Sequence, residues 1–265
     1  MTECRLCCVS RTDSIVKLLV ITVYLNLEKI NAGPEMKRYA TVIGYECLFK
    51  CPPDEWQLPP DVVGHIAGIM ELEGLVFDRS RFVLLMHDAL EKRRKKAEET
   101  MIETKLGDVV KIVLEELEVS DHSLNQRIVE VAASYYTGHS CARQGAAELL
   151  KRLKKDMKVG LVCNVPLGIP HSIVASQIRD AGMDAAIDDL QFSTEMGMRR
   201  PHARQFRYSL INLNADPSEC AAISRMTGDR DTLRKLSFAD IFIIDGQTAG
   251  SGKQSAALNE LNFIL

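Results

Sequence analysis

Four short stretches of this chain set cations, carboxylates and thiols where they could act together. Ser193-Thr-Glu-Met-Gly-Met-Arg-Arg-Pro201 presents Arg200, a permanent cation, immediately before a proline. Leu161-Val-Cys-Asn164 closes an apolar run on Cys163 and Asn164, a weak thiol donor and a carboxamide. Ile223-Ser-Arg-Met-Thr-Gly-Asp-Arg-Asp231 carries the carboxylates Asp229 and Asp231 beside Arg225 and Arg230. Thr41-Val-Ile-Gly-Tyr-Glu-Cys-Leu-Phe49 contributes Glu46 but no aspartate, and none occurs from residue 14 through 53. Arg200 and Asn164 are the types that hold an anion, with Cys163 as a poorer third. Asp229 and Asp231 are the types that hold Mg²⁺, which needs near-octahedral oxygen ligands in fixed places.

The elements that must position these residues follow from periodicity. From 144 onward helix and strand alternate: helix 144–155, strand 158–164, helix 170–181, a short strand near 190–193, helix 201–214, strand 221–224, helix 231–238, strand 240–245 and a last helix over 254–261. That rhythm predicts βαβ crossovers and a mostly parallel sheet with helices on both faces. Ligands of such sheets bind outside the carboxyl ends of the strands, where all four stretches fall. Between 60 and 136 the apolar spacing is helical. A helix opens at Pro60 and buries Val62, Val63, Ile66, Ile69 and Met70. A second runs from about Ser80 to Lys105 and is interrupted by Gly107. Ser120 is expected to cap the next. These helices form a bundle inserted after the first strand. That strand is placed at 40–49 in preference to Lys17-Leu-Leu-Val-Ile-Thr-Val-Tyr24; neither holds an aspartate.

The segment 193–201, with Phe206 and Pro217-Ser-Glu-Cys220 at the following distances, resembles the third motif of the haloacid dehalogenase (HAD) superfamily. The resemblance covers about residues 36–265 and implies an α/β fold: a three-layer Rossmann-like core with an inserted helical cap. The implied division is an N-terminal extension over 1–35, core over 36–58 and 138–265, and cap over 59–137. The family hydrolyses phosphate esters or related bonds with an aspartate on its first strand, Mg²⁺ held by an acidic loop, a serine or threonine at the second strand end and a lysine before the proline. Here Cys163 replaces the hydroxyl, Arg200 replaces the lysine, and Ser224-Arg225 stand where the acidic loop should begin. Arginine keeps the charge, but its planar fork does not reproduce a point ammonium. Two registers of the first strand remain open. One sets Ile43 at the nucleophile and Tyr45, a residue known there in dehalogenase-type members, at the second acid. The other sets Gly44 at the nucleophile and Glu46 at the second acid. Neither supplies an attacking aspartate. Losing a nucleophile can cost about 10⁶-fold in turnover, roughly 8 kcal/mol of barrier.

The expectation is therefore a catalytically degenerate, cytoplasmic protein that binds an anionic small molecule or a protein partner, with Cys163, Asn164 and Arg200 lining the cleft and no cofactor. The alternative is a Mg²⁺-dependent phosphatase with a rearranged site, using Glu46 with Asp229 and Asp231 on the metal. An acidic oxygen placed beside Arg200 where it would face an incoming phosphorus atom, or a covalent phospho-adduct there, would overturn the first reading.

The remaining features carry less. The chain has 265 residues, 46% apolar and 26% charged, as globular proteins do. Its net charge of −3 gives no case for nucleic acid or an acidic membrane surface. Eight cysteines at 4, 7, 8, 47, 51, 141, 163 and 220 lack the paired spacing of a zinc site. Cys163 would be a nucleophile only with a base such as His139 or His171 near it. Asp245–Ser255 imitates a phosphate-binding loop with the wrong glycine spacing, and Lys92-Arg-Arg-Lys-Lys96 reads as a solvated helix face.

Overall fold

A computed structural model describes residues 39–52, 55–119 and 121–244. The alternative first strand over 17–24, the extension over 1–35, the loop over 245–255 and the helix over 254–261 lie outside them.

The core is a five-stranded sheet in the order β5-β4-β1-β6-β7, every neighbouring pair parallel. Its strands are β1 (Ala40–Gly44), β4 (Lys158–Cys163), β5 (Asp189–Phe192), β6 (Cys220–Ser224) and β7 (Asp240–Ile243). A two-stranded antiparallel ribbon, β2 (Phe49–Lys50) with β3 (Cys141–Ala142), stands beside it. Alternation along the strands builds two cores. Ile43, Val159, Leu161, Cys163 and Ile223 face one, and Ala40, Val42, Val162 and Ala222 face the other. The second core is closed by α9 (Arg204–Leu213) and α10 (Asp229–Lys235) through Phe206, Leu210, Leu213 and Leu233. The first is closed by α6 (Ala146–Asp156) and α7 (His171–Asp180). Strands buried on both faces read as continuous apolar runs, which is why short apolar runs between helical segments located them. The chain leaves β1 outward through β4 and β5 and then returns to build β6 and β7, so the strand order reverses at β1. Crevices form at such reversals.

Strand β1 is shorter than expected. It ends at Gly44, and a single helical turn, α1 (Tyr45–Leu48), follows. Between β2 and β3 the chain inserts four helices: α2 (Pro60–Leu72), α3 (Arg79–Thr100), α4 (Leu106–Glu116) and α5 (His122–Gly138). Pro60 opens α2 at its first turn, where the missing N–H costs nothing. Val62, Val63, Ile66 and Met70 are buried as the spacing predicts, and Ile69 is half-buried. Helix α3 stops five residues before the expected Lys105, because Met101 turns left-handed (φ 57°) and tertiary contacts take the chain away. Gly107 therefore lies inside α4 and breaks nothing. The cap of α5 is Asp121, which accepts from the Ser123 and Leu124 amides at 2.8 and 3.1 Å, and not Ser120. No helix among the described residues is long and apolar enough to cross a membrane.

The segment between α3 and α4 docks the inserted helices on the core. Ile102 and Met198 form an antiparallel bridge. The Glu103 amide donates to Gly197 O at 3.0 Å, and the Arg199 amide to Met101 O at 2.7 Å. Glu103 then holds two arginines, Arg93 Nη2 at 2.8 Å and Arg199 Nη1 at 2.7 Å, with all three side chains buried. Arg199 also reaches Glu55 at 2.9 Å. Both guanidiniums lie over the Trp56 ring, Arg93 at 4.9 Å and Arg199 at 4.1 Å from its centroid, within the range of cation–π attraction. Gly168, at φ +66°, lets the loop after β4 approach this junction; a Cβ there would stand 2.4 Å from Thr104 O. Arg93 thus corrects the reading of 92–96 as a wholly solvated face. Lys92 and Arg94 do make the exposed pairs expected of one, to Asp88 and to Glu91 and Glu98.

Candidate functional site

The carboxyl ends of β1 and β6 converge on Arg200, whose side chain is fully buried. The loop that carries it is fixed by Asn164 at the end of β4: the Arg200 amide donates to Asn164 Oδ1 at 2.8 Å, and Asn164 Nδ2 donates to Arg200 O at 3.2 Å. Gln205 Nε2 reaches the same Oδ1 at 3.3 Å. Asn164 is thus occupied in holding backbone. Peptide Arg200–Pro201 is cis, and helix α9 begins only at Arg204, so Pro201 is not a first helical residue.

Arg200 is bound by two carboxylates. Nη2 donates to Glu46 Oε2 at 2.5 Å, and Nη1 donates to Asp229 Oδ2 at 2.9 Å and to Glu46 Oε1 at 3.2 Å. Ser224 Oγ lies 2.6 Å from Asp229 Oδ2 and 3.2 Å from Glu46 Oε1, and accepts from the Met226 amide at 3.0 Å. The Arg225 amide donates to Glu46 Oε1 at 3.2 Å. One cation between two acids splits their behaviour. Burial opposes ionisation of Glu46, but Arg200 and the backbone donors outweigh it and hold the carboxyl below its ordinary 4.5. Asp229 is wholly buried, and its Oδ1 has no hydrogen-bond partner among the described residues. Burial pushes its carboxyl above the ordinary 3.8, with Glu46 adding to the rise against the pull of Arg200 and Ser224. Arg200 itself is pushed up by these two acids against the cost of burial.

The two candidate nucleophile positions of β1 lie in different surroundings. Ile43 is fully buried in the apolar core. Gly44 ends the strand, and a Cβ built on it would stand 2.2 Å from Glu46 Oε1 and 2.7 Å from Arg200 Nη1. The space that a side chain at this position would enter is filled by the Glu46–Arg200 pair. An acidic oxygen therefore does stand beside Arg200, delivered by the second residue past the strand end. The expectation of a bare position is corrected on that point.

The residues of the expected anion-binding set are engaged within the protein. The Arg200 charge is committed to Glu46 and Asp229. Cys163 is fully buried in the apolar core, and burial holds its thiol protonated, well above its usual range. Neither proposed base is paired with it: His139 Nδ1 lies 2.8 Å from Tyr135 O, and His171 lies 3.3 Å from Glu195. Of the expected metal pair only Asp229 enters the cluster. Asp231 sits in the first turn of α10 with its side chain 82% exposed, facing Arg234 at 3.9 Å. The residues do not fit Mg²⁺, because Arg200 bridges the two strand-end carboxylates that would share the ion. No group of three or more histidine, cysteine or acidic side chains among the described residues is arranged to hold a metal. Two grooves, of about 680 and 800 Å³, run along α2, the second reaching α5, and include none of these strand-end residues.

Sequence reasoning missed Glu103, Arg93 and Trp56. A lone acid just past a helix end carries no local signature of burial.

No protein-family model and no curated protein matches the chain. Solved structures do. The one named "putative beta-phosphoglucomutase from Thermotoga maritima" is 15% identical, with a TM-score of 0.51 over 84% of this chain and 91% of its own. A HAD family enzyme from Bacteroides thetaiotaomicron is 12% identical, with a TM-score of 0.50 over 84% of this chain and 99% of its own. An L-2-haloacid dehalogenase from Xanthobacter autotrophicus is 13% identical, with a TM-score of 0.48 over 87% of this chain and 88% of its own. The parallel order β5-β4-β1-β6-β7, the helices inserted after β1 and the site at the strand ends together give this chain the HAD-like fold.

Proposed function

We propose that this chain is a non-hydrolytic member of the HAD-like fold that works by binding, as a sensor or regulator of an anionic small molecule or a protein partner. The observation that carries the reading is the filled space over Gly44. A nucleophile must approach an incoming phosphorus atom unobstructed, and here an ion pair occupies that approach. Glu46 is a poor substitute. Its Oε1 accepts from Arg200, Ser224 and the Arg225 amide, and its Oε2 from Arg200 at 2.5 Å. Attack would have to break contacts that hold the loop ends together. The test is turnover of p-nitrophenyl phosphate by the full chain, with and without Mg²⁺. None above the buffer rate is expected; turnover that vanishes on chelation would overturn the reading.

One observation favours a second reading. The Glu46 side chain is 25% exposed and ionised, as an attacking carboxylate must be. If Glu46 attacks, turnover disappears in Glu46→Gln and persists in Asp231→Asn.

A further inference from the structure

We infer that Arg143 and Arg225 form a binding site for a small oxyanion at the rim of the Arg200 cluster, at residues outside the expected Cys163–Asn164–Arg200 set. Both arginines are anchored to Glu46. Arg143, just past β3, donates from Nε to Glu46 O and to Phe49 O, each at 3.1 Å. Its amide donates to Leu48 O at 2.7 Å. This fixes the Arg143 stem against the turn after β1 while its Nη1 and Nη2 make no hydrogen bond among the described residues. Arg225, just past β6, is held through its amide on Glu46 Oε1, and its half-buried side chain enters no hydrogen bond or ion pair among the described residues.

Both arginines start from one residue, Arg143 held on the Glu46 carbonyl and Arg225 on the Glu46 carboxylate. Burial lowers Arg143, and the charge of Arg225 lowers it further. The half-buried Cys47 marks the same place: burial and Glu46 push its thiol up, while Arg200, Arg225 and Arg143 pull it down. Among the described residues, three guanidiniums therefore stand around Glu46 and Asp229, and burial raises the Asp229 carboxyl above its ordinary 3.8. Both Arg200 Nη nitrogens are engaged by those carboxylates, and only its Nε is left without a partner among the described residues; Arg143 and Arg225 meet neither carboxylate with their Nη groups. Two half-buried guanidiniums whose forks are unpaired among the described residues suit an oxyanion, because each fork can donate two parallel hydrogen bonds. The anion would also relieve the repulsion between them.

The site rests on the binding reading above only in that its ligand is held and not cleaved. It is tested by calorimetric titration of the full chain with inorganic phosphate, against sodium chloride at matched ionic strength. Wild type should bind phosphate. Arg225→Met should bind at least about tenfold more weakly, with an unchanged melting temperature in the absence of phosphate. Arg207→Met, on the exposed face of α9, should bind as wild type does. Arg225→Lys keeps the charge and loses the fork, so it should fall between wild type and Arg225→Met. Equal heats from phosphate and chloride in the wild type, or wild-type affinity in Arg225→Met, would overturn the site. Phosphate binding together with ester turnover would leave the site standing and remove the non-hydrolytic reading. No binding and no turnover would do the reverse.

Discussion

Glu46 reaches back over Gly44 and meets Arg200 at 2.5 Å, so the residue that ends β1 and the second residue beyond it compete for one volume. Gly44→Ala should destabilise the fold by about 1–3 kcal/mol, the usual cost of overpacking. Most of that cost should vanish when the same change is made in a Glu46→Ala background. Urea denaturation of the four proteins in this double-mutant cycle reads the coupling directly. Additive effects would mean that the carboxylate does not occupy the space over Gly44.

The two acids of the cluster should respond to pH in opposite senses. Glu46 is held below 4.5, so its contribution is fully present above 4.5 and is lost as pH falls through its folded value. Asp229 is held above 3.8. Between 3.8 and its folded value the native state binds the extra proton, so stability declines as pH rises through that window. Melting temperature against pH should therefore lose part of its acid-side fall in Glu46→Gln. It should lose part of its decline above pH 3.8 in Asp229→Asn. Unchanged profiles in both variants would show that neither carboxylate is coupled to Arg200.

Glu103 neutralises Arg93 and Arg199 together, and none of the three is more than 3% exposed at the side chain. Glu103→Gln leaves the buried Arg93 without a counter-charge and Arg199 with Glu55 alone. Removing one partner of a buried pair typically costs about 3–5 kcal/mol, and this loss should appear in urea denaturation. Glu98→Gln, which removes an exposed partner of Arg94, should change stability by less than about 1 kcal/mol.

Much of the fold was legible because β/α alternation and helical spacing are local signals. Strands β4, β5, β6 and β7 fall within one or two residues of their expected positions, and Pro60 marks the start of α2. The end of α3 was not legible, because the stop at Met101 is imposed by the Ile102–Met198 bridge and the Glu103 ion pairs, which join residues distant in sequence. Ser120 and Asp121 are both good cap residues one place apart, and the pattern does not choose between them. At the site, Arg200 and Asp229 were visible as charges near strand ends. Their pairing was not, because whether a buried cation faces solvent, a ligand or an internal acid depends on the volume left by Gly44. The ending of β1 at Gly44, with Glu46 folded back on Arg200, was likewise not legible from residue types alone.

Trp56 is the only indole in the chain, and it is gripped by one guanidinium from the inserted helices and one from the sheet domain. Its emission therefore follows a single seam. Should those helices ever shift against the sheet, the fluorophore would part from at least one cation and its colour would change, so the molecule carries a built-in optical gauge of that junction.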